Sequence, residues 1–493
     1  MIKLNREELN DKINACWIGK NIGGTIGAPY EGKRELLNVT GFVTEAGKPL
    51  PNDDLDLQLV WLKALYERGP KNINSKVLGE YWLTYIGPCW NEYGICKANM
   101  QDGFLPPMSG SVLNEDWKHS NGAWIRTEVW ACCFPAMPET AMRMAFEDAS
   151  VDHGFGEGTY AAIFVAAMES VAFINNNINE LLEIGLSKIP ESCRVSRSVR
   201  LVMDCFKKGM DWKDTRNAVV EDSKDLGWFQ APANVAFVVL GLLYGGCDFK
   251  KSMLYAVNCG DDTDCTAATV GSILGIMYGN AGIPDDWRRH IGDDIQTICI
   301  RQEAHSFPAT CSDLTELVMR ILPVTLNSNR RFRLTQSKSN PAKEMWVEMT
   351  EEPTSTDNFD INLWKGCEFA QGLAERSPFS ITTECVYAEA MVELDREPTI
   401  KPLGTISGKI TVKHDEKSND QMHLNVKWFL PEGFTVDCPK NLLMNFRSGK
   451  SQTSECRFTI TAGETIGADN DIVIQIKCPH RPTPMFLPIH IMG

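Results

Sequence analysis

The sequence is short of several things, and each shortage excludes a class of protein. No apolar run reaches the ~18 residues that a membrane-spanning helix needs. The first residues, MIKLNREELNDKINACW, are charged where a secretory signal would be apolar, so the expected compartment is the cytoplasm. There is no basic excess: 49 Lys and Arg face 64 Asp and Glu, a net charge of -15. That balance argues against a nucleic-acid binder and suits a protein that gathers carboxylates around cations. Histidine is scarce, with 8 in 493 residues and no HExxH, so a zinc hydrolase is poorly supported. The 17 cysteines are odd in number and irregularly spaced, with Cys132 and Cys133 adjacent and no CxxC pair. They read as small buried thiols in a reducing compartment rather than as a disulfide framework. No GxSxG elbow, P-loop or dinucleotide-type glycine fingerprint occurs in proper context.

What remains is a large globular chain in which hydrophobic residues make up 43% and charged residues 23%. At 493 residues, two or three domains are expected. From residue 7 to about 325 the pattern is helical, with apolar residues three and four apart in 7–19, 55–68, 160–173 and 234–244. Several of these segments are apolar nearly all round, as helices buried in a large bundle should be. The character changes after Pro323. Residues 326–341, LNSNRRFRLTQSKSNP, are polar and basic and read as a linker. Beyond it, short alternating runs at 345–349, 379–386, 409–414, 423–430, 457–460 and 471–477 are separated by turn-prone pieces. The expectation is therefore an α plus β protein in three parts. An all-α domain spans 1–325, a linker 326–341, and a smaller immunoglobulin-like β-sandwich of roughly seven or eight strands 342–493.

Two acidic segments carry the chemistry. Residues 51–58, PNDDLDLQ, place Asp53, Asp54 and Asp56 at a helix start, more carboxylates than capping requires. Residues 260–266, GDDTDCT, bring Asp261, Asp262 and Asp264 to the start of a second helix with small apolar flanks. Dense negative charge entering a buried helix is costly unless a cation or partner neutralises it. Carboxylate and carbonyl oxygens favour Mg²⁺, Mn²⁺ or Ca²⁺ over zinc, and two such clusters have enough oxygens for two ions. The alternative for either cluster alone is a solvated acidic helix start. Gly19, Gly23 and Gly27 recur every fourth residue, as do Gly271, Gly275 and Gly279. Each set lines one helix face where backbones can approach closely, which serves helix packing and the rigid placement of ligands alike.

In chain order, GGTIGAPYE (23–31), NDD (52–54), NGAWIR (121–126), Asp152-His153 and GDDTDCTAATVGSILGIMYG (260–279) resemble the landmarks of the ADP-ribosylglycohydrolase superfamily. The resemblance covers roughly residues 10–310 and implies an all-α orthogonal bundle with a dinuclear Mg²⁺ (or Mn²⁺) site. On it, the metal ligands are Asn52, Asp53, Asp54, Asp262, Asp264 and Cys265. Glu31 is a gating or acid/base residue, with Asp54 and Asp262 beside it in catalysis. Asn121, Arg126 and His153 face the substrate. Two positions depart from the family pattern: Asn52 and Cys265 stand where it has hydroxyl ligands. An amide oxygen can bind Mg²⁺, but a thiol is a poor partner for a hard cation. Leu55 also stands where a Thr is common.

Arg126 is placed to meet a phosphate, the competing reading being a structural ion pair. His153 faces the substrate or is a core histidine. Trp90, Trp117 and Trp124 lie in an irregular aromatic-rich stretch of the kind that lines pockets. Three functions follow. The first, and favoured, is metal-dependent hydrolysis of a glycosidic bond to ribose in an ADP-ribosylated protein or small molecule, by direct attack of water. The second is hydrolysis of another furanoside or nucleoside on the same centre, and the third a non-enzymatic, crystallin-like binding protein. No nucleic-acid or membrane partner is expected. The C-terminal part carries no site-like acidic cluster and reads as a support, oligomerisation or carbohydrate-contact module.

Overall fold

A computed structural model describes residues 2–301, 307–328, 332–336, 344–349, 377, 379–385, 388–414, 422–444, 452–479 and 484–493. The chain divides into two compact units, Met1–Lys365 and Gly366–Gly493.

The first unit is built around two antiparallel helices. One, α1 (Arg6–Gly27), is capped by Asn5, whose Oδ1 accepts from the backbone N of Glu7 at 2.8 Å, while Glu7 and Glu8 suit its N-terminal dipole. Its partner is the helix Thr263–Tyr278. The two glycine sets explain the pairing. A Cβ on Gly19 would lie 2.2 Å from Gly271 O, one on Gly23 2.3 Å from Ala267 O, one on Gly27 2.3 Å from Thr263 O, and one on Gly275 2.3 Å from Ala15 O. Steps of four along both helices, in opposite directions, bring backbone against backbone. No side chain fits between them.

Around this pair stand helices that are apolar on every face, such as Glu157–Ala172 and Ala231–Tyr244, nearly all of whose residues are buried. The second helix, α2 (Asp53–Arg68), starts at Asn52, whose Oδ1 accepts from Asp54 N at 2.8 Å. No described helix is long and apolar enough to cross a membrane. The unit also holds an antiparallel sheet in the order β1 (Ile2–Asn5), β3 (Glu344–Met349), β2 (Phe332–Gln336). This differs from the expected layout. Part of the supposed linker is a strand, and the run at 345–349 pairs with β1 and β2 rather than with the sandwich. The alternation of Phe332 and Leu334 within the basic stretch was the period-two signal that its polarity masked. The preceding helix, Cys311–Ser328, also runs on through Pro323.

The second unit is a β-sandwich. One sheet has the order β4 (Ser380–Cys385), β5 (Ala388–Leu394), β6 (Thr405–His414), β10 (Gln452–Thr461), β8 (Thr435–Asp437). The other has the order β12 (Met485–Met492), β11 (Asp469–Lys477), β7 (Met422–Phe429), β9 (Asn441–Met444). Burial alternates along β5, β7, β11 and β12, and Val392, Ile410, Leu424, Ile474 and Leu487 are fully buried in the shared core. Four of these nine strands, β5, β8, β9 and β12, were not expected from the sequence. β12 contains Pro488, which argues against a central strand but is tolerated at a sheet edge, where β12 lies.

Candidate functional site

The helix pair and α2 bring the two acidic segments together. Glu31, Asp262 and Asp264 each offer an oxygen within 4.8 Å of the others, and Asp54, Asp264 and Cys265 form a second such group. Asp264 belongs to both. Its neighbours come from four places: the turn after α1, the start of α2, the loop 260–262 and the helix Thr263–Tyr278. Two backbone bonds tie the first of these to the third. Gly32 N donates to Asp261 O at 2.9 Å and Asp261 N to Lys33 O at 2.8 Å. Asp261 adopts a left-handed φ of 63° and its Oδ1 accepts from Arg34 Nε at 3.3 Å, so this member of the acidic run joins the loop to the segment after α1.

Three carboxylates of the centre, Asp53, Asp262 and Asp54, have buried partners. Tyr93 Oη donates to Asp53 Oδ2 at 2.9 Å. Asn121 Nδ2 donates to Asp262 Oδ2 at 2.6 Å, and Trp124 Nε1 fixes Asn121 Oδ1 at 3.0 Å. Asn234 Oδ1 accepts from Asp262 N at 3.1 Å. Beneath Asp54, Lys20 Nζ lies 2.7 Å from Glu128 Oε1 and 3.9 Å from Asp54 Oδ2. Gln58 Nε2 donates to both Glu128 Oε2 and Asp54 O. Asp56, of the same acidic run, is spent elsewhere: its Oδ2 accepts from Ile298 N and Cys299 N and anchors that segment.

The electrostatics show a surplus of negative charge. Burial, with the charges of Asp264 and Asp53, lifts Glu31 to about 7. Burial and the facing carboxylate of Asp264 raise Asp53 and Asp262, and burial raises Asp54 despite Lys20. Asp54 Oδ2, Asp262 Oδ1 and Asp264 Oδ1 are buried with no hydrogen-bond partner. Orphaned carboxylate oxygens converging on one place fit a hard divalent cation. Asn52 and Cys265 fit it less well. Asn52 uses its oxygen to cap α2 and turns Nδ2 toward Asp264 Oδ2 at 3.5 Å. The Cys265 thiol donates to Asp54 Oδ1 at 3.4 Å.

The three residues expected to face the substrate are all fully buried. Arg126 is committed to Asp148 Oδ1 at 3.0 Å, to both oxygens of Asp152 at 2.7 and 3.0 Å, and to Gly122 O, and it sits over the rings of Trp61 and Trp82. No donor is left for a phosphate. His153 Nε2 pairs with Ser120 Oγ at 2.9 Å and Nδ1 lies 3.0 Å from Asp152 Oδ1, which makes it a core histidine. Asn121 acts on Asp262, not on a ligand. Of the three tryptophans, Trp124 is buried and holds Asn121, Trp117 meets Phe229 edge-on, and Trp90 is exposed beside Tyr93.

Sequence reading missed Lys20, Gln58, Tyr93, Glu128 and Asn234. Lys20 had a signal: a lysine inside the glycine-bearing face of a buried helix needs a partner charge. The others had none, because the partners that give them their place lie 28 residues away for Asn234, 40 for Tyr93, 70 for Gln58 with Glu128 and 108 for Glu128 with Lys20.

A family profile described as ADP-ribosylglycohydrolase matches residues 5–331. A curated relative, ADP-ribosylarginine hydrolase Tri1 of Serratia proteamaculans (strain 568), is 48% identical over 40 residues, 8% of this chain. The chain spans only 11% of that relative's length. A solved structure titled ADP-ribosylglycohydrolase-related protein complex aligns over 64% of this chain and 99% of its own, at 19% identity and a TM-score of 0.43. A FixG-related protein from Vibrio parahaemolyticus aligns over 22% of this chain and 95% of its own, at 12% identity and a TM-score of 0.18.

Proposed function

The chain belongs to the ADP-ribosylglycohydrolase family, and we propose that it is a metal-dependent hydrolase that removes ADP-ribose from a modified protein or small molecule by cleaving the glycosidic bond to ribose. One observation carries this reading: Asp54, Asp262 and Asp264 bring buried, unpartnered oxygens together, with Glu31 beside them at the exposed side. A hard divalent cation, Mg²⁺ or Mn²⁺, would be held by Asp262, Asp264 and Glu31, with Asp53 and Asp54 alongside. Bound there, it supplies Lewis acidity and cancels the local charge.

The chain's own residues do the rest. Asn121 and Asn234 hold Asp262, and Tyr93 holds Asp53, so the carboxylates are set before substrate arrives. Glu31 is the exposed member of the group and lies at its solvent side. From that side it is placed to orient a water that attacks the anomeric carbon of ribose. A protein that only bound ligands would have no need for uncompensated carboxylates in its core.

The arginine linkage in the relative's name makes ADP-ribosyl-arginine the first substrate to try. Release of ADP-ribose from it and from ADP-ribosylated protein should require Mg²⁺ or Mn²⁺ and stop with EDTA. Metal binding without release of ADP-ribose would reject this substrate and direct the test to other furanosides and nucleosides, a reading that the substitutions Asn52 and Cys265 favour.

A further inference from the structure

The acidic centre offers two overlapping cation positions, and they are unlike. Glu31, Asp262 and Asp264 supply only oxygens, and Asp262 Oδ1 and Asp264 Oδ1 are buried and unpartnered. Asp54, Asp264 and Cys265 make the other. There the sulfur is a poor donor to a hard cation, and its thiol already points at Asp54 Oδ1 at 3.4 Å. Asn52 presents an N–H, not an oxygen, to Asp264 Oδ2 at 3.5 Å. Behind Asp54 stands a permanent positive charge. Lys20 is buried, with Nζ 3.9 Å from Asp54 Oδ2 and 2.7 Å from Glu128 Oε1. Gln58 clasps Glu128 Oε2 and the backbone carbonyl of Asp54, at 2.9 and 2.8 Å, which ties the partner of the ammonium to the first turn of α2. Apart from Asp54, the groups that distinguish the second position from the first, Cys265, Asn52 and Lys20, are hydrogen-bond donors or a cation. Such groups repel a metal ion.

We infer that the chain holds a single hard divalent cation, at Glu31, Asp262 and Asp264, and that Lys20, behind Asp54, is a built-in counter-charge that opposes a second ion at Asp54, Asp264 and Cys265. The inference rests on the metal-centre reading above and replaces its two-ion form. Lys20 acts as a positioning residue: it touches no substrate, holds Asp54, and sets the number of ions.

The test counts metal. Full-length protein is stripped with EDTA, loaded with Mn²⁺, and analysed by elemental mass spectrometry and electron paramagnetic resonance. One Mn²⁺ per chain, with the signal of an isolated ion, is expected. Two per chain with an exchange-coupled signal would overturn the inference and leave the metal-centre reading standing. No retained Mn²⁺ would overturn both. Asp262→Asn should lose the ion and Cys265→Ala should keep it; the reverse pattern places the ion at the wrong position and refutes the proposal. The combined variant Lys20→Met, Glu128→Gln, Cys265→Thr removes the counter-charge together with its partner carboxylate Glu128 and leaves Asp54 to be neutralised by a second ion. It should gain a second ion and a coupled signal, and retention of only one would count against Lys20. If that variant fails to fold, Cys265→Asp with Lys20 in place should still hold one ion, and a second ion there would defeat the inference.

Discussion

Two clusters of buried charge lie in the helical unit, and they differ in how the charge is balanced. In one, Arg126 stands between Asp148 and Asp152, with His153 alongside, and nearly every donor and acceptor meets a partner inside the protein. In the other, Asp53, Asp54, Asp262, Asp264 and Glu31 gather beside the ammonium of Lys20, which stands 3.9 Å from Asp54 Oδ2 and is already held by Glu128. Both clusters come from sequence motifs that point to function. The first is closed and holds helices together; the second has oxygens with nothing to bind. Internal balance marks a structural cluster, and surplus charge of one sign marks a site that is completed by a ligand.

The comparison is broken most directly by Asp262→Asn. Metal affinity and ADP-ribose release should both fall by more than roughly 100-fold, beyond the loss typical of a residue that only orients a ligand, with the fold retained. Unchanged affinity in isothermal titration would show that the open cluster is not the metal site. In the closed cluster the effect should move to stability. Arg126→Met strands Asp148 and Asp152 and should cost about 3–5 kcal/mol in chemical denaturation. Should it leave stability intact and abolish substrate binding instead, Arg126 would be a phosphate ligand after all.

A smaller effect separates the clusters by pH. In the metal-free chain Glu31 is raised to about 7, so the stability that its proton confers is present in acid and lost as pH rises through about 7. In the closed cluster burial pushes Asp152 up, but Arg126 and His153 outweigh it and hold the carboxyl at about 2, while burial keeps Asp148 at about 6. The closed cluster's slope with pH is therefore indifferent to metal. The gain in melting temperature on adding Mn²⁺ should grow as pH rises through about 7. A constant gain across that range would mean that ionisation of Glu31 is not linked to the ion.

Much of the helical unit was legible in its glycines and acids. A four-residue glycine period in two helices means faces that another backbone can approach closely, and the structure shows that the two faces meet each other, Gly19 against Gly271. Less was legible where the signal was polar or interrupted. The strand Phe332–Gln336 lay hidden in a basic stretch and Met485–Met492 behind Pro488. Within the site, Asp53, Asp54 and Asp56 looked equivalent on paper. Yet Asp53 accepts from Tyr93, Asp54 faces Lys20, and Asp56 ties down residues 298–299.

By itself the sequence determined the helical and β-rich regions, the two glycine-lined helix faces, and the acidic segments at two helix starts. These rest on periodicity and local charge, which a chain carries in its order of residues. Only the tertiary structure decided which carboxylates are left unbalanced, that Arg126 and His153 are enclosed, and that Lys20 stands behind Asp54. Those facts depend on contacts between residues far apart in the chain, such as Lys20 with Glu128, 108 positions away. No local pattern encodes a counter-charge at that separation; packing alone brings it there.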